Sequence, residues 1–318
     1  MNEYVALLLG ILSAGIGGEL FVRGTVGIAG LARISPAIVG ATVAAFATSS
    51  PELSVSISSA LAGKPQIALG DALGSNVVNV ALILGLALVI SGIQSSWDSV
   101  KRDLPVALLV PVLTGVFLLD GVLSRIEGAL MLCMFIAWFV TTVVEARKQR
   151  NTSNGGLEGH SKWLIVVSCV IGLAFLIVAG KLIVVGAKQI AVSFGISDFI
   201  IGATIVAIGT SVPELATTII AKLRGHDEVG LGTVLGSNIF NGVFVVAIAA
   251  IIHPIVVPFR DVAATLVCGI LALAIVFPGR NGFIDRRRGV FLICLYIGYL
   301  AVVLHAGGTQ GDQPGALR

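Results

Sequence analysis

Charge is scarce in this sequence. Asp, Glu, Lys and Arg make up only 12% of its 318 residues, against about 25% in an ordinary soluble domain. Long polar segments are missing too. The longest, Ala146–Ser161, is rich in Asn, Gly and Ser and reads as a linker, which leaves no room for a folded extramembrane domain. Apolar–polar alternation is absent, and that excludes membrane-spanning strands. The four cysteines, Cys133, Cys169, Cys268 and Cys294, stand singly inside apolar runs with no ligand spacing, so they read as small buried hydrophobes. No basic stretch precedes the apolar run that begins at Tyr4 and no small-residue cleavage site follows it, so this run is expected to remain as the first membrane helix. A net charge of only +3, spread along the chain, gives no reason to expect nucleic-acid binding.

What the chain has in abundance is apolar length. Hydrophobic residues make up 56% of it and the mean hydropathy is +1.03. Uncharged runs such as Ala72–Ile90, Gly128–Val144, Trp163–Gly180 and Val262–Gly279 are long enough to cross a hydrocarbon core of roughly 30 Å as helices. With the shorter candidates, an all-α membrane protein of ten helices is expected, over about 3–28, 34–62, 66–92, 103–120, 126–146, 162–190, 197–223, 228–252, 258–279 and 286–306. Placing both termini outside puts fourteen of the twenty Lys and Arg, Arg102 among them, in inside loops, which is the arrangement the positive-inside bias favours.

The chain also repeats itself. At an offset of 162, Gly40–Leu53 aligns with Gly202–Leu215 with nine of fourteen positions identical, and without a gap Leu73–Asn79 then aligns with Leu235–Asn241. Two halves follow, 1–150 and 162–318, joined by a linker at 151–161. Five helices per half is an odd number, so the second half enters the membrane from the opposite side, giving inverted repeats of the kind that build alternating-access transporters around a midplane site.

Within the repeats lies a set of oxygen atoms. Glu52 and Glu214 each have about ten apolar residues on either side, and burying a charge there costs at least ~2.5 kcal/mol on insertion scales with no Lys or Arg in the middle of the helices concerned. Pro51 and Pro213 lack the N–H that would bind the carbonyls of Ala47 and Gly209, so helices 2 and 7 should break beside the glutamates and free those carbonyls. Thr48 with Glu52 and Thr210 with Glu214 are four apart and share helical faces, with Ser49 and Ser211 adding hydroxyls. Ser75 with Asn79 and Ser237 with Asn241 repeat that spacing on the next helices, either as further oxygen ligands or as interhelical glue. An all-oxygen shell with two negative charges suits a hard cation such as Ca²⁺. Gly74 and Gly236 are read as close-packing positions. Asn76 and Asn238 either orient carbonyls or touch the ion. Asp71, whose counterpart is Thr233, is read as a solvated or dipole-facing charge.

Gly209-Thr-Ser-Val-Pro-Glu214 and Gly236-Ser-Asn238, each with a partner in the first half, resemble the α-repeats of the Ca²⁺/cation antiporter superfamily, and most closely its prokaryotic sodium/calcium exchangers. The resemblance covers both motif pairs and the ten-helix length, with Ala47 in place of a glycine. It implies Ca²⁺ bound by the two glutamates and Na⁺ at overlapping and adjacent sites. By motif position the ligands are Glu52, Glu214, Thr48, Ser49, Thr210, Ser211, Ser75 and Ser237, completed by Asn79, Asn241 and the backbone carbonyls of Ala45 and Ala207. It also implies that the first and sixth helices slide as gates. Well-studied members carry an aspartate in at least one of the positions held here by Asn79 and Asn241, which leaves stoichiometry and electrogenicity open.

The function expected is therefore Na⁺/Ca²⁺ antiport without a cofactor, in the plasma membrane of a prokaryote. Both halves of the site lie in one chain, which is compatible with a functional monomer and leaves the oligomeric state open. The competing reading is Ca²⁺/H⁺ exchange on the same fold, since a buried glutamate can trade a proton for a metal. A remoter one is an intramembrane enzyme, against which stand the single Gly70-Asp71, the lack of His-Glu-x-x-His and glutamates set beside hydroxyls. A cation channel is disfavoured by the two broken helices.

Overall fold

The computed structural model describes residues 2–152, 162–193, 207–279 and 281–310. Nearly all of them are helical: α1 (Glu3–Ala32), α2 (Pro36–Thr48), α3 (Ser50–Leu61), α4 (Pro65–Ile90), α5 (Trp97–Phe117), α6 (Arg125–Thr152), α7 (Lys162–Ser193), α8 (Ala207–Thr210), α9 (Val212–Leu223), α10 (Asp227–Ile252), α11 (Phe259–Val276) and α12 (Arg286–Gln310). Six of these, α1, α4, α6, α7, α10 and α11, are long and apolar enough to cross a membrane. The bent pair α2 and α3 makes a seventh candidate. Segment 197–206 of the expected seventh helix, and 153–161 of the linker, lie outside the described residues.

Local chemistry explains the boundaries. Ser35 caps α2 by accepting the Ile38 N–H at 3.3 Å, with Pro36 at the first helical position. Ser124 and Glu127 form a capping box at the start of α6, the Ser124 N–H donating to Glu127 Oε2 at 2.7 Å and the Glu127 N–H to Ser124 Oγ at 3.3 Å. α5 starts six residues earlier than expected, so Arg102 lies in a helix instead of a loop. There it donates to Asp103 at 2.6 Å and to Glu145 of α6 at 3.0 Å, and is nearly buried. Trp138 Nε1–H donates to the same aspartate at 3.0 Å. Arg23 lies within α1 and pairs with Glu19.

Strands were not expected, yet four two-residue strands are present among the described residues. β1 (Ile93–Gln94) pairs with β4 (Phe283–Ile284), and β2 (Val122–Leu123) pairs with β3 (Ile255–Val256), both antiparallel. Each ladder ties a loop of the first half to a loop of the second, where the chain leaves its helices and backbone groups need partners. The offset of 162 carries β1 onto β3 and β2 to within a residue of β4, so the two ladders are symmetry mates.

The centre of the molecule is α4 and α10, most of whose apolar residues from Leu69 to Leu88 and from Val229 to Ala250 are buried, with Leu86 the exposed exception. Glycine lets neighbours approach them. At Gly236 a Cβ would strike the Ala41 backbone of α2, and at Gly232 it would come within 2.6 Å of the Ala37 carbonyl. α1 and α7 pack along their length in the same way. Gly10, Gly17 and Gly24, two turns apart, face Ile183, Phe175 and the backbone of Cys169.

Candidate cation site

Both breaks have one backbone geometry. Ser49 has φ −85° and ψ 11°, Ser211 φ −84° and ψ 7°, and each is followed within two residues by its proline at the start of the next helix. The first break bends the chain by 45°. The bend redirects the hydroxyls that precede it. Thr48 and Ser49 face the glutamate of the other half, not Glu52 as continuous helical spacing implied. The Ser49 hydroxyl donates to Glu214 Oε1 at 2.9 Å, and Thr48 is within reach of the same carboxylate while also donating to the carbonyls of Ala44 and Ala45. Thr210, on α8, reaches back toward Glu52.

Glu52, Glu214, Thr48, Ser49, Ser75, Ser211, Ser237, Asn79 and Asn241 are all buried, and both glutamates are 0% exposed. The two carboxylates are near enough to repel one another. No Lys or Arg pairs with either among the described residues. Ser237 adds a second hydroxyl to Glu214 Oε1 at 3.2 Å. Both oxygens of Glu52, Oε2 of Glu214, the hydroxyls of Ser75 and Ser211 and the side-chain amide of Asn241 have no hydrogen-bond partner among the described residues. Buried polar atoms left in that state carry a penalty of a few kcal/mol each unless something binds them.

The carbonyl expectation holds less well. Ala47 O accepts the Ser50 hydroxyl at 2.7 Å, so the proline does not leave it free. Ala45 O accepts the Ser49 N–H at 3.0 Å. Ala207 opens α8.

Asn76 and Asn238 hold one another's backbone carbonyls, and Oδ1 of Asn76 is buried with no hydrogen-bond partner among the described residues. Asn76 Nδ2 donates to the Asn238 carbonyl at 3.0 Å, and Asn238 Nδ2 donates to the Asn76 carbonyl at 3.1 Å. This reciprocal clasp joins α4 to α10 at the centre of the molecule. Asn238 Oδ1 also accepts from Asn79 Nδ2 at 3.2 Å and so aims that amide.

Asp71 is not the solvated charge the sequence suggested. It is half-buried, its Oδ2 is shielded and without a partner, and its Oδ1 accepts from the Thr210 hydroxyl at 3.5 Å. The sequence reading also passed over Ser56, Thr217 and Thr218, buried hydroxyls without partners one turn beyond the glutamates. The repeat pairs Ser56 with Thr218, and that signal was available. The π-helical turns Val78–Leu84 and Phe240–Val245, which hold Asn79 and Asn241, had no such signal. Such turns are frequent at functional sites.

This arrangement has known counterparts. The family profile "Sodium/calcium exchanger protein" matches residues 2–144 and 164–305. The chain belongs to that family. The family consists of exchangers, not enzymes, and the chain is a multi-pass membrane protein of the Ca²⁺/cation antiporter superfamily. It is 38% identical over 310 residues to the "Putative antiporter CaxA" of Alkalimonas amylolytica, covering 93% of this chain and 95% of that one. It is 35% identical over 290 residues to the "Inner membrane protein YrbG" of Escherichia coli, covering 85% and 87%. A structure of the sodium-calcium exchanger NCX_Mj soaked with 2.5 mM Na⁺ and 10 mM Sr²⁺ superposes with a TM-score of 0.82 at 31% identity, over 94% of this chain and 98% of that one.

Proposed function

We propose that this exchanger family member moves Ca²⁺ against Na⁺ by alternating access, through a site built around Glu52 and Glu214. One observation carries the reading: two carboxylates, one from each repeat, are wholly buried with no Lys or Arg partner among the described residues, and the Ser49 hydroxyl of the first repeat donates to the carboxylate of the second. The remaining ligands are Thr48, Thr210, Ser211, Ser75, Ser237, Asn79, Asn241 and the carbonyls of Ala45 and Ala207, with Pro51 and Pro213 setting the breaks. NCX_Mj, soaked with Na⁺ and Sr²⁺, supports hard monovalent and divalent ions as the cargo.

The architecture we assign is ten spans in two inverted halves, 1–150 and 162–318, about a linker at 151–161. The ladders support it. In a ten-span chain the loops holding β1 and β4 follow the third and ninth spans, and those holding β2 and β3 follow the fourth and eighth. Each pair then shares one side of the membrane, and symmetry-related loops fall on opposite sides. The charge bias places both termini outside, in the inner membrane of a prokaryote. One chain completes the site, and a monomer is the working unit.

Coupling follows from electrostatics. Two bare carboxylates buried at membrane depth cost about 5 kcal/mol together on insertion scales, which suppresses their dry passage by roughly three to four orders of magnitude. Only an ion-loaded site crosses readily. Reconstituted protein should take up Ca²⁺ when Na⁺ runs the other way, and Glu52→Gln or Glu214→Gln should abolish the flux. Full activity in either variant overturns the site. Uptake that follows a pH gradient and ignores Na⁺ overturns the choice of coupling ion in favour of Ca²⁺/H⁺ exchange.

A further inference from the structure

A positive charge stands close to the breaks. Between α7 and the two breaks lies a cavity of about 380 Å³ whose walls include Pro51, Gly209, Thr210 and Pro213, so it reaches the turns from which both glutamates project. Gly180 seats α7 there, since a Cβ at this position would come within 2.8 Å of the Gly209 carbonyl. The next residue, Lys181, lines the same cavity, and apart from Thr210 the lining offers no other polar side chain. Lys181 is exposed and forms no ion pair among the described residues. Apolar, low-dielectric walls carry the field of an unpaired ammonium toward the site instead of damping it. At the offset of 162, Lys181 aligns with Glu19 of α1. That carboxylate is held by Arg23 at 2.5 Å and by Arg224 at 2.8 Å. The repeat thus puts opposite charges at equivalent positions of α1 and α7, one closed in ion pairs and one open to a cavity.

We propose that Lys181 is a specificity-determining residue for exchange, setting a positive potential across the mouth of the cation site that disfavours Ca²⁺ more than Na⁺. The inference rests on the exchange reading and deepens it. A potential acts in proportion to valence, so whatever factor Lys181 adds to the half-saturating concentration of Na⁺ is squared for Ca²⁺. A unit charge about 10 Å from an ion in water gives a factor of about two for Na⁺ and hence about four for Ca²⁺. In the ten-span arrangement α7 leaves the inside at Lys162, which places Lys181 toward the outer face. The handicap to Ca²⁺ therefore falls on the outside, and an exchanger biased in this way loads Na⁺ from outside and Ca²⁺ from inside.

The test uses full-length protein in sealed vesicles with the outer face exposed, and reads the half-saturating outside concentrations of Na⁺ and Ca²⁺ from radiolabelled Ca²⁺ flux. In Lys181→Gln the value for Na⁺ should fall about twofold and that for Ca²⁺ about fourfold. Lys181→Arg should match wild type, and Lys181→Glu should lower both values by the same factors again. Raising the outside ionic strength with choline chloride from about 0.1 M to about 1 M shortens the screening length from ~10 Å to ~3 Å. That should bring Lys181→Gln and wild type together, whereas the same salt inside should not. Equal factors for the two ions, differences that survive the salt, or constants that do not change overturn the filter. Lys181→Met serves if the glutamine variant does not fold, and failure of both variants to fold also overturns it. Wild-type vesicles without Na⁺-coupled Ca²⁺ flux remove the parent reading, and are told apart because equilibrium binding of Ca²⁺ and Na⁺ still reads the square relation.

Discussion

Asn238→Ala removes two hydrogen bonds at the centre of the molecule, whereas Asn76→Ala removes one. Asn238 donates to the Asn76 carbonyl and accepts from Asn79, while Asn76 only donates to the Asn238 carbonyl. A buried neutral hydrogen bond contributes about 1 kcal/mol net, and interhelical bonds in membrane proteins average nearer ~0.6. The expected losses are therefore about 1–2 kcal/mol for Asn238→Ala and about half that for Asn76→Ala. Both donors bond backbone carbonyls, so truncating one side chain leaves the other's donation intact. The double variant should thus be additive to within ~0.5 kcal/mol, as for sites that share no side-chain partner. Thermal unfolding in detergent, read from the fluorescence of the three tryptophans, gives the ordering directly. Cation affinity supplies a second reading, because only Asn238→Ala releases Asn79 from its fixed direction. Equal losses in the two single variants, or an unfolding temperature for Asn76→Ala below that of Asn238→Ala, would refute the clasp as described.

Ser49→Ala deletes the hydroxyl that joins the first half to Glu214 at 2.9 Å. A bond to a charged acceptor contributes about 1.5–3 kcal/mol, so Ca²⁺ affinity in equilibrium binding should fall about tenfold or more, while Ser50→Ala, whose hydroxyl serves only the Ala47 carbonyl, should stay within about threefold. Arg102→Gln leaves Asp103 and Glu145 without their cation in a nearly buried cluster. Unfolding measurements should show a loss of about 3–5 kcal/mol, and exchanging all three residues for apolar ones of similar volume should recover most of it. In Gly24→Val the new side chain meets the backbone of Cys169 at 2.6–2.7 Å. Cation binding should survive, but turnover in vesicles should drop severalfold if α1 and α7 move against the core.

The repeat made much of this legible. Polar residues that recur at a fixed offset inside apolar helices mark Glu52, Glu214, the two Ser-x-x-x-Asn pairs and both prolines without any structure. What stayed hidden depended on direction. A linear sequence places Thr48 over Glu52 by helical spacing, but the bend at Ser49 turns Thr48 and Ser49 toward Glu214. The fate of the Ala47 carbonyl was hidden for a related reason, since a neighbouring hydroxyl, Ser50, replaces the donor the proline removes. Asp71 was misread because it breaks the repeat, and a search for symmetry discounts whatever lacks a partner. Arg102 was misread because a charge near a helix end looks like a topology signal until its two acids, one of them forty-three residues away, fold against it.

The departures from symmetry bear on mechanism as much as the symmetry does. If alternating access arises from two inverted repeats that exchange conformations, the halves must differ in any one state, for identical halves would open or close both sides together. They do differ here. Among the described residues Glu214 accepts Ser49 and Ser237, whereas the oxygens of Glu52, which only Thr210 approaches, and the symmetry-related hydroxyls of Ser211 and Ser75 have no hydrogen bond of normal geometry. In the opposite state the pattern should reverse, with Ser211 and Ser75 turning to Glu52 and Ser49 leaving Glu214. Asp71 sets a limit on that reversal. Thr210 has the carboxylate of Asp71 to answer, but the matching position in the other repeat is the neutral Thr233, so the two states cannot be equivalent in charge. A transporter built this way would be symmetric in fold and unequal in the affinity each side offers a monovalent cation. Na⁺ dependences measured separately on the two faces of an oriented membrane should differ in wild type and converge in Asp71→Thr.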